Sequence, residues 1–460
     1  MFKDTGVTIT VDGERHLGAV IGTKDFREHY VSKKVESWCQ DIDELAQIAI
    51  EEPQVAYCAY TKGLAHRWKF VQRTISEISQ LFKPLEKKIK EIFIPNLIGR
   101  QISDKERDLF ALPLRFGGLG IQDPTKVADK EFSASVILTE ELSDLILKQD
   151  HDLSKIRKEN TVEKKKNLKL RKEIDHLQSF EETKSQFSEM QQKFLVLARE
   201  KGSYAWLSAL PLKHLGFVLN KEGFRDAIRL RYNWPIPNVP RQCACGVKND
   251  NDHLLICKKG GYIHMRHDAL VETEAELMRE AGCKDVRTEQ CLIPTQGDHL
   301  RRRTERGDQA RMDVAATGVY GRLERTYFDV RVTYPNASSN KHMTSKQLYT
   351  QHEREKKAKY EERILEVEKG SFCPLVYATT GGMGELCMQH HKRIARLISE
   401  KRKEDYARTI TYMRTRLRFV LLRSVLMCLR GIRGKTYNGQ ITQISDVSFG
   451  LIPEAHSYDV

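Results

Sequence analysis

The stretch that decides the fold of the second half of the chain is RTYFDVRVTYP, residues 325–335. Apolar and polar side chains alternate with a period of two, and residue types that favour strands dominate, so the stretch predicts a β-strand. One face is apolar and includes Phe328 and Tyr334, whereas the other face carries Asp329 and Arg331. Because a carboxylate in mid-strand is costly to bury unless it is paired or functional, Asp329 is a candidate site residue.

A second strand is predicted just upstream, at residues 309–317, QARMDVAAT, and it carries Asp313. A Gly-containing segment joins the two strands, so the simplest interpretation is a hairpin with Asp313 and Asp329 on its non-apolar face. Two neighbouring carboxylates repel each other, and a divalent cation such as Mg²⁺ relieves the repulsion through oxygen ligands. The alternative is purely structural, with the two aspartates paired to Arg311 and Arg331.

The elements around this hairpin follow a definite order. A helix is predicted at residues 266–283 and a strand at 285–294, before the two strands that carry the aspartates. A long helix follows at residues 345–370, and a last strand at 372–380 precedes the Gly-rich turn GGMG. The predicted order is therefore helix, three strands, helix and strand.

Residues 243–257, CACGVKNDNDHLLIC, predict a zinc site. Three thiolates and one imidazole suit tetrahedral zinc, and the last two ligands lie one helical turn apart: Cys243, Cys245, His253 and Cys257. Gly246 and the Asn/Asp run supply the turn that brings the two pairs together. The alternative is a reduced cysteine pair with a capping histidine. The nearby His264 and His267 are interpreted as spare ligands, phosphate contacts or plain surface residues.

The positive charge of the chain is concentrated near its end. The 460 residues carry a net charge of +14, and residues 392–435 contain 14 Lys and Arg against 3 Asp and Glu. Such a concentrated field favours a polyanion such as nucleic acid, with phosphate contacts expected from the basic helical extension, residues 403–436. The alternative is a solvated helix face with a basic bias.

Hydropathy, the N-terminal sequence and the cysteines indicate the cellular compartment. The best candidate for a membrane span, residues 417–429, is interrupted by Arg418 and Arg423, so no span is predicted. The N-terminus lacks the pattern of a signal peptide, and ten cysteines are spread unevenly over the chain. We therefore expect a reducing compartment, the nucleus or otherwise the cytoplasm.

The predicted order of elements, with 15 residues between Asp313 and Asp329-Val330-Arg331, resembles restriction-like nucleases of the PD-(D/E)xK kind. The resemblance implies that the two aspartates hold Mg²⁺ and that a lysine orients or deprotonates the attacking water. Here Arg331 replaces the strand lysine, and an arginine stays charged and steadies phosphate charge instead. In some members of that superfamily the lysine lies on the following helix, which offers three candidates, of which we favour the first: Lys356, Lys357 and Lys359.

The resemblance implies one further acidic residue in the site. Glu274, on the helix before the sheet, is expected to reach the metal, with Glu289 on the first strand as the alternate. The candidate catalytic residues are then Asp313, Asp329, Arg331, Lys356 and Glu274, with Asp313 and Asp329 as the magnesium ligands.

The zinc pattern, the tripeptide RHD at residues 266–268 and the nuclease pattern together look like the carboxy-terminal part of the polyprotein of site-specific non-LTR retrotransposons. There a Cys-Cys-His-Cys knuckle precedes a restriction-like endonuclease that nicks target DNA for target-primed reverse transcription. His16-Leu17-Gly18 resembles the segment just after the polymerase catalytic motif, and the helical residues that follow resemble the reverse-transcriptase thumb.

The predicted fold class is α+β, with a mainly helical, thumb-like N-terminal half, a zinc knuckle and a mixed-sheet nuclease core with flanking helices. The segments implied are a palm remnant (1–27), a thumb-like domain (28–149) and a charged helical linker (150–202). They are followed by a bridge with the knuckle (203–261), the endonuclease domain (262–402), a basic helical extension (403–436) and a tail (437–460).

The function implied is a Mg²⁺-dependent DNA endonuclease fragment of a retroelement, with DNA and possible element RNA as partners. No Asp-Asp dipeptide occurs in the chain, and Met1 lies downstream of the place of the polymerase motif. We therefore expect a fragment, or a gene model that starts late, without polymerase activity. Two alternatives are kept. The first is a nucleic-acid-binding relic whose nuclease has decayed, and it stays open because Arg331 replaces the strand lysine. The second is a scaffold that binds RNA or DNA through the thumb and basic tail alone.

Overall fold

The computed structural model describes residues 9–150, 152, 158–295, 300–431 and 433. Over these residues the chain is α+β, as predicted, and it separates into two compact units, Met1–Ser188 and Glu189–Val460. The boundary between the units falls inside the segment predicted as a charged linker. The predicted tail, 437–460, lies outside the described residues. No helix of the described ranges is long and apolar enough to cross a membrane.

The first unit contains one small hairpin and a set of helices. Strands β1 (Gly13–His16) and β2 (Ala19–Gly22) pair antiparallel. The helices are α1 (Lys24–Glu51), α2 (Pro53–Lys62), α3 (Arg67–Thr74), α4 (Lys83–Lys88), α5 (Ile94–Ile98), α6 (Asp104–Ala111), α7 (Pro124–Leu147) and α8 (Lys158–Ser185).

Helix α1 organises the first unit because one stripe of its surface is apolar and buried. The buried residues recur every three or four positions, as the 3.6-residue period requires: Val31, Val35, Trp38, Ile42, Leu45 and Ala49. The Trp38 ring stacks on Phe82 at 6.1 Å between centroids. Helix α8 was expected as an exposed linker, but Phe180 near its end is fully buried, so this end belongs to the core of the first unit.

The second unit is built around a four-stranded mixed sheet. Its helices are α9 (Glu189–Ala198), α10 (Ala205–Ser208), α11 (Lys221–Arg231), α12 (Asn251–Ile256), α13 (Tyr262–Glu280), α14 (Ser345–Arg363), α15 (Glu385–Arg402) and α16 (Tyr406–Arg430). Its strands are β3 (Lys284–Cys291), β4 (Arg311–Thr317), β5 (Arg325–Thr333) and β6 (Ser371–Ala378). The sheet order is β3-β4-β5-β6; the first two pairings are antiparallel and β5 pairs parallel with β6. The predicted order of helix, three strands, helix and strand is observed.

Both faces of β5 are covered, which corrects one expectation. Phe328 lies under α15, with its ring 4.8 Å from that of His390. On the opposite face, Tyr327 packs in a buried cluster with Tyr360 of α14 and Phe372 of β6. The face expected to be non-apolar is therefore part of the core, and Asp329 on it is only 5% exposed.

Three arginines of α16 are held by contacts within the second unit, where outward phosphate contacts were expected, whereas Arg408 near the start of the helix is exposed. Arg418 is buried, and Arg423 donates to the carbonyl oxygens of Gly216 and Val218. Arg430 forms an ion pair of 2.7 Å with the buried Asp226. The amphipathic pattern is the same for a core helix and a basic surface helix, and here the apolar stripe with its anchored arginines packs inward.

Candidate functional site

The four predicted zinc ligands lie together in the second unit. Their ligand atoms are all within 4.8 Å of one another: Cys243, Cys245, His253 and Cys257. Sγ of Cys243 is 3.7 Å from Sγ of Cys257, and Sγ of Cys245 is 3.4 Å from Nε2 of His253. Tetrahedral zinc with Zn–S bonds of about 2.3 Å places its sulfur ligands about 3.8 Å apart. The cluster therefore has the donors and the spacing of a zinc site.

Local backbone contacts explain why the ligands converge. The amide of Cys243 donates to the carbonyl of Val247 at 2.9 Å, and Gly246, with φ of 88°, closes the turn between them. The side chain of Asp250 caps α12 by accepting from the amide of His253 at 2.7 Å. The cap begins the helix so that His253 and the residue just after the helix, Cys257, face the cysteine turn.

The electrostatics of the cluster favour thiolates at its exposed side. The Val247 backbone amide lowers the pKa of Cys245, which is exposed, whereas burial raises the pKa of Cys257. Zinc is bound by the deprotonated thiol, so cation binding supplies the energy that ionises the buried cysteine.

A second candidate site is formed where β5 meets α14. The side chain of Lys356 reaches Asp329, with Nζ 2.9 Å from Oδ1 and 2.6 Å from Oδ2. Both carboxylate oxygens therefore lie within contact distance of the ammonium group, and the buried Oδ2 has no other donor among the described atoms. Burial raises the pKa of Asp329, the nearby Asp313 raises it further, and Lys356 opposes both.

Asp313 lies beside this pair, one residue beyond the end of the β4–β5 ladder. The last paired residues are Val314 and Phe328, and Val330 lies two residues beyond this end of the pairing on β5. The Asp313 carboxylate accepts from the amide of Val330 at 2.6 Å, and the ladder hydrogen bond is replaced by a side chain. This contact fixes Asp313 next to the strand that carries Asp329.

His267 of α13 completes this group, and sequence reasoning had left its role open. Its Nε2 lies 3.2 Å from Oδ2 of Asp313 and 3.1 Å from the carbonyl oxygen of Val330. Burial alone would lower the pKa of His267, but the carboxylates of Asp313 and Asp268 outweigh burial and raise this pKa to about 9. The RHD tripeptide at the start of a predicted helix was the signal that pointed to this residue.

Arg331 forms an ion pair with a residue of α14 and not with either aspartate. Its guanidinium lies 2.7 Å from Oε2 of Glu355, which also contacts Nδ1 of the buried His352 at 3.3 Å. Burial would raise the pKa of Glu355, but hydrogen bonds from Gln351, His352 and Arg331 lower it to about 2. The purely structural alternative, aspartates paired to strand arginines, is not the arrangement around Asp329 and Arg331.

The other predicted candidates lie outside this group. Lys357 pairs with Glu361 at 3.1 Å, and Lys359 pairs with Glu305 at 3.1 Å. Glu289 lies on β3, between the residues paired with Met312 and Val314, and its side chain is exposed.

The structure gives Glu274 other partners than the aspartates. Glu274 is fully buried and its carboxylate contacts Tyr377, His390 and His391, with Nε2 of His391 at 2.8 Å. Two turns of helix separate it from His267, which is the residue of α13 that contacts Asp313. An acidic residue on a helix face is equally compatible with a site ligand and with a buried partner for histidines, so the sequence alone did not separate the two.

The donors at the aspartate site fit a hard divalent cation in type. Asp313, Asp329 and the Val330 carbonyl supply oxygen atoms, and the buried Oδ2 of Asp329 is contacted by the ammonium of Lys356. The Cys243 cluster, however, is the one compact group of three or more metal-binding side chains in the described ranges. The aspartates are instead held by Lys356, His267 and a backbone amide. No known protein family and no curated protein matches this chain.

Proposed function

We propose that this chain is a metal-dependent DNA endonuclease of the restriction-like kind, carried by a non-LTR retroelement and without a polymerase site of its own. The observation that carries the proposal is the contact of Lys356 with Asp329, beside Asp313. These three residues come from α14, β5 and β4. Acidic and basic groups at the junction of three elements form the kind of pre-organised cluster that phosphodiester hydrolysis requires.

Each residue has a distinct role in the proposed reaction. Asp313 and Asp329 would hold a divalent cation, which when bound supplies an acidified water and polarises the scissile phosphate. The ammonium of Lys356 positions a water next to Asp329 and stabilises negative charge that develops on the phosphate. Arg331, held by Glu355, would add a fixed positive charge and take no proton.

The wider assignment rests on the order of the parts. A cysteine–histidine cluster that can hold zinc precedes the mixed sheet, and a helical unit with an N-terminal hairpin precedes both. We infer a zinc knuckle and a restriction-like nuclease core in the second unit, and a thumb-like domain with a palm remnant in the first. DNA is the proposed partner, element RNA a second one, and the nucleus the proposed compartment.

A catalytically decayed relic is the second candidate, and one arrangement favours it. An arginine occupies the strand position of the usual lysine and is bound to Glu355, while Asp313 is bound to His267. Such internal pairing would stabilise a nuclease fold that no longer holds a catalytic cation. The relic would keep affinity for nucleic acid and lose nicking.

The experiment is a plasmid-nicking assay of the purified chain with Mg²⁺. Wild type is compared with Asp313→Ala and with Glu400→Ala, which removes an exposed carboxylate from α15. The proposal predicts nicking by wild type and Glu400→Ala and none by Asp313→Ala. Nicking of equal rate in all three proteins would refute the assigned site. DNA binding without nicking by wild type would favour the relic.

A further inference from the structure

A groove with an unpaired positive charge runs beside α14. We call it the basic groove; it is lined by Arg303 of the loop between β3 and β4, by residues 342–344 and by residues of α14, and it encloses about 880 Å³. The polar and charged α14 residues of the lining include Lys346, Thr350, Gln351, Arg354 and Glu355.

The charge of the basic groove is not neutralised locally. Arg303, Lys346 and Arg354 are all exposed, and among the described residues none of them has an acidic partner. Glu355 is the one acidic side chain in the described lining, and it is occupied by Arg331 at 2.7 Å. Three cations therefore face solvent together without a counter-charge, an arrangement that attracts a polyanion.

The spacing of the cations matches a chain of phosphates better than a single anion. Lys346, Thr350 and Arg354 recur every four residues, so they lie on one face of α14 over about 12 Å of helix rise. One DNA strand presents a phosphate about every 3.4 Å along the duplex axis, so this length covers about three or four phosphates. Thr350 and Gln351 add uncharged donors between the cations.

One residue of the groove lining is adjacent in sequence to the candidate site. Glu355 lines the groove and directly precedes Lys356, whose ammonium contacts Asp329. The partner of Glu355 is Arg331, which shares a strand face with Asp329. A strand bound along the groove would thus pass beside the buried carboxylates.

A protein partner fits the basic groove less well. Stable protein interfaces depend on buried aromatic anchors that fill pockets. The described lining residues include no Phe, Tyr or Trp, and three of them are Lys or Arg against one Glu. Exposed cations of this kind are typical of surfaces that contact phosphate backbones.

We propose that the basic groove binds the sugar–phosphate backbone of duplex DNA and presents it to the site at Asp329. The inference rests on the proposed function for the identity of the ligand, but its test requires no cleavage. Binding is sequence-independent and falls as salt rises, because it depends on phosphate contacts.

The test measures binding of a fluorescein-labelled 30-base-pair duplex by the full chain over a range of salt concentrations. Every protein carries Asp313→Asn and no divalent cation is added, so nicking cannot occur. The groove variant combines Arg303→Gln, Lys346→Gln and Arg354→Gln. The control variant removes three exposed cations elsewhere in the second unit, outside residues 392–435, through Lys213→Gln, Lys284→Gln and Arg322→Gln.

We expect the groove variant to lose about tenfold or more in affinity and the slope of log Kobs against log salt to fall by about 2 to 3. The control variant should keep the wild-type affinity and slope. Equal losses in both variants, or none in the groove variant, would overturn the proposal. Equally tight binding of a poly-glutamate peptide, lost in the same variant, would overturn the assignment to DNA. Groove-dependent binding in a chain that never nicks supports the groove while contradicting the proposed function.

Discussion

Lys356 contacts Asp329 across 27 positions of sequence, with Nζ 2.9 Å from Oδ1. The lysine comes from α14 and the aspartate from β5, so the contact exists only when the helix has packed on the sheet. Asp329 is 5% exposed, and a buried carboxylate without a cation would be strongly disfavoured. The pairing explains how a mid-strand aspartate is tolerated, and it places an ammonium group where a strand lysine is missing.

The cysteine–histidine cluster should bind one zinc per chain. Cys245→Ser removes one of four ligands, so we expect loss of the metal and loosening of residues 243–257, since small zinc modules draw folding energy from the cation. Elemental analysis of the purified protein, with protease sensitivity as a second readout, measures both. The matched control is Cys291→Ser, an exposed cysteine outside the cluster. Unchanged zinc content in Cys245→Ser would remove that residue from the site.

The knuckle helix α12 should also be coupled to the strand that carries Asp329. Asp252 accepts hydrogen bonds from Tyr334, at 2.5 Å, and from Asn336, at 3.0 Å, just beyond the end of β5. Asp252→Ala leaves these two buried groups unpaired, so we expect a loss of about 1–3 kcal/mol in unfolding free energy. The double variant with Tyr334→Phe should lose less than the sum of the two single losses. Additive losses would show that the contact does not couple the two elements.

Glu274 should behave as a stabilising residue of the core. Its removal in Glu274→Ala leaves His390 and His391 buried without their carboxylate, so we expect a loss of about 3–5 kcal/mol in unfolding free energy. Glu274→Gln keeps the shape and should lose less. Urea unfolding gives the stability, and nicking is compared under conditions where both variants are folded. Abolished nicking with unchanged stability would restore Glu274 to the catalytic set.

The contacts of Glu355 predict an acid dependence of stability. The pKa of Glu355 is lowered to about 2 in the folded chain, so its stabilisation is present above the ordinary glutamate pKa and is lost as pH falls through about 2. The difference in unfolding free energy between wild type and Glu355→Gln should therefore be largest above about pH 5 and should shrink at lower pH. Urea unfolding over a pH series measures it. A difference that stays constant down to pH 2 would contradict the assigned contacts.

Patterns that depend on local sequence predicted much of this fold. Alternation around Asp329 predicted β5, and the spacing of Cys243, Cys245, His253 and Cys257 predicted a cluster that the structure brings within 4.8 Å. Both signals are short-range, because strand alternation and ligand spacing are set within about 15 residues.

The sequence did not predict which of several possible side chains a buried charged residue contacts. Glu274 lies on a helix face that also carries His267, and only the packing of α15 reveals that its partners are His390 and His391. The arginines of α16 form a basic pattern whose direction depends on which face of the helix is apolar and covered. In both cases the outcome depends on tertiary contacts between residues far apart in the chain.

The most direct test of the central claim compares nicking rates of Lys356→Ala, Lys357→Ala and Lys359→Ala with that of wild type. The three lysines share one helix, but the first alone contacts Asp329, whereas the other two pair with Glu361 and Glu305. The rate of Lys356→Ala should fall by about 100-fold or more, with DNA binding retained, because a positioned proton-transfer or charge-stabilising group is lost. The other two variants should nick within about twofold of wild type. A wild-type nicking rate in Lys356→Ala would contradict the proposed catalytic site.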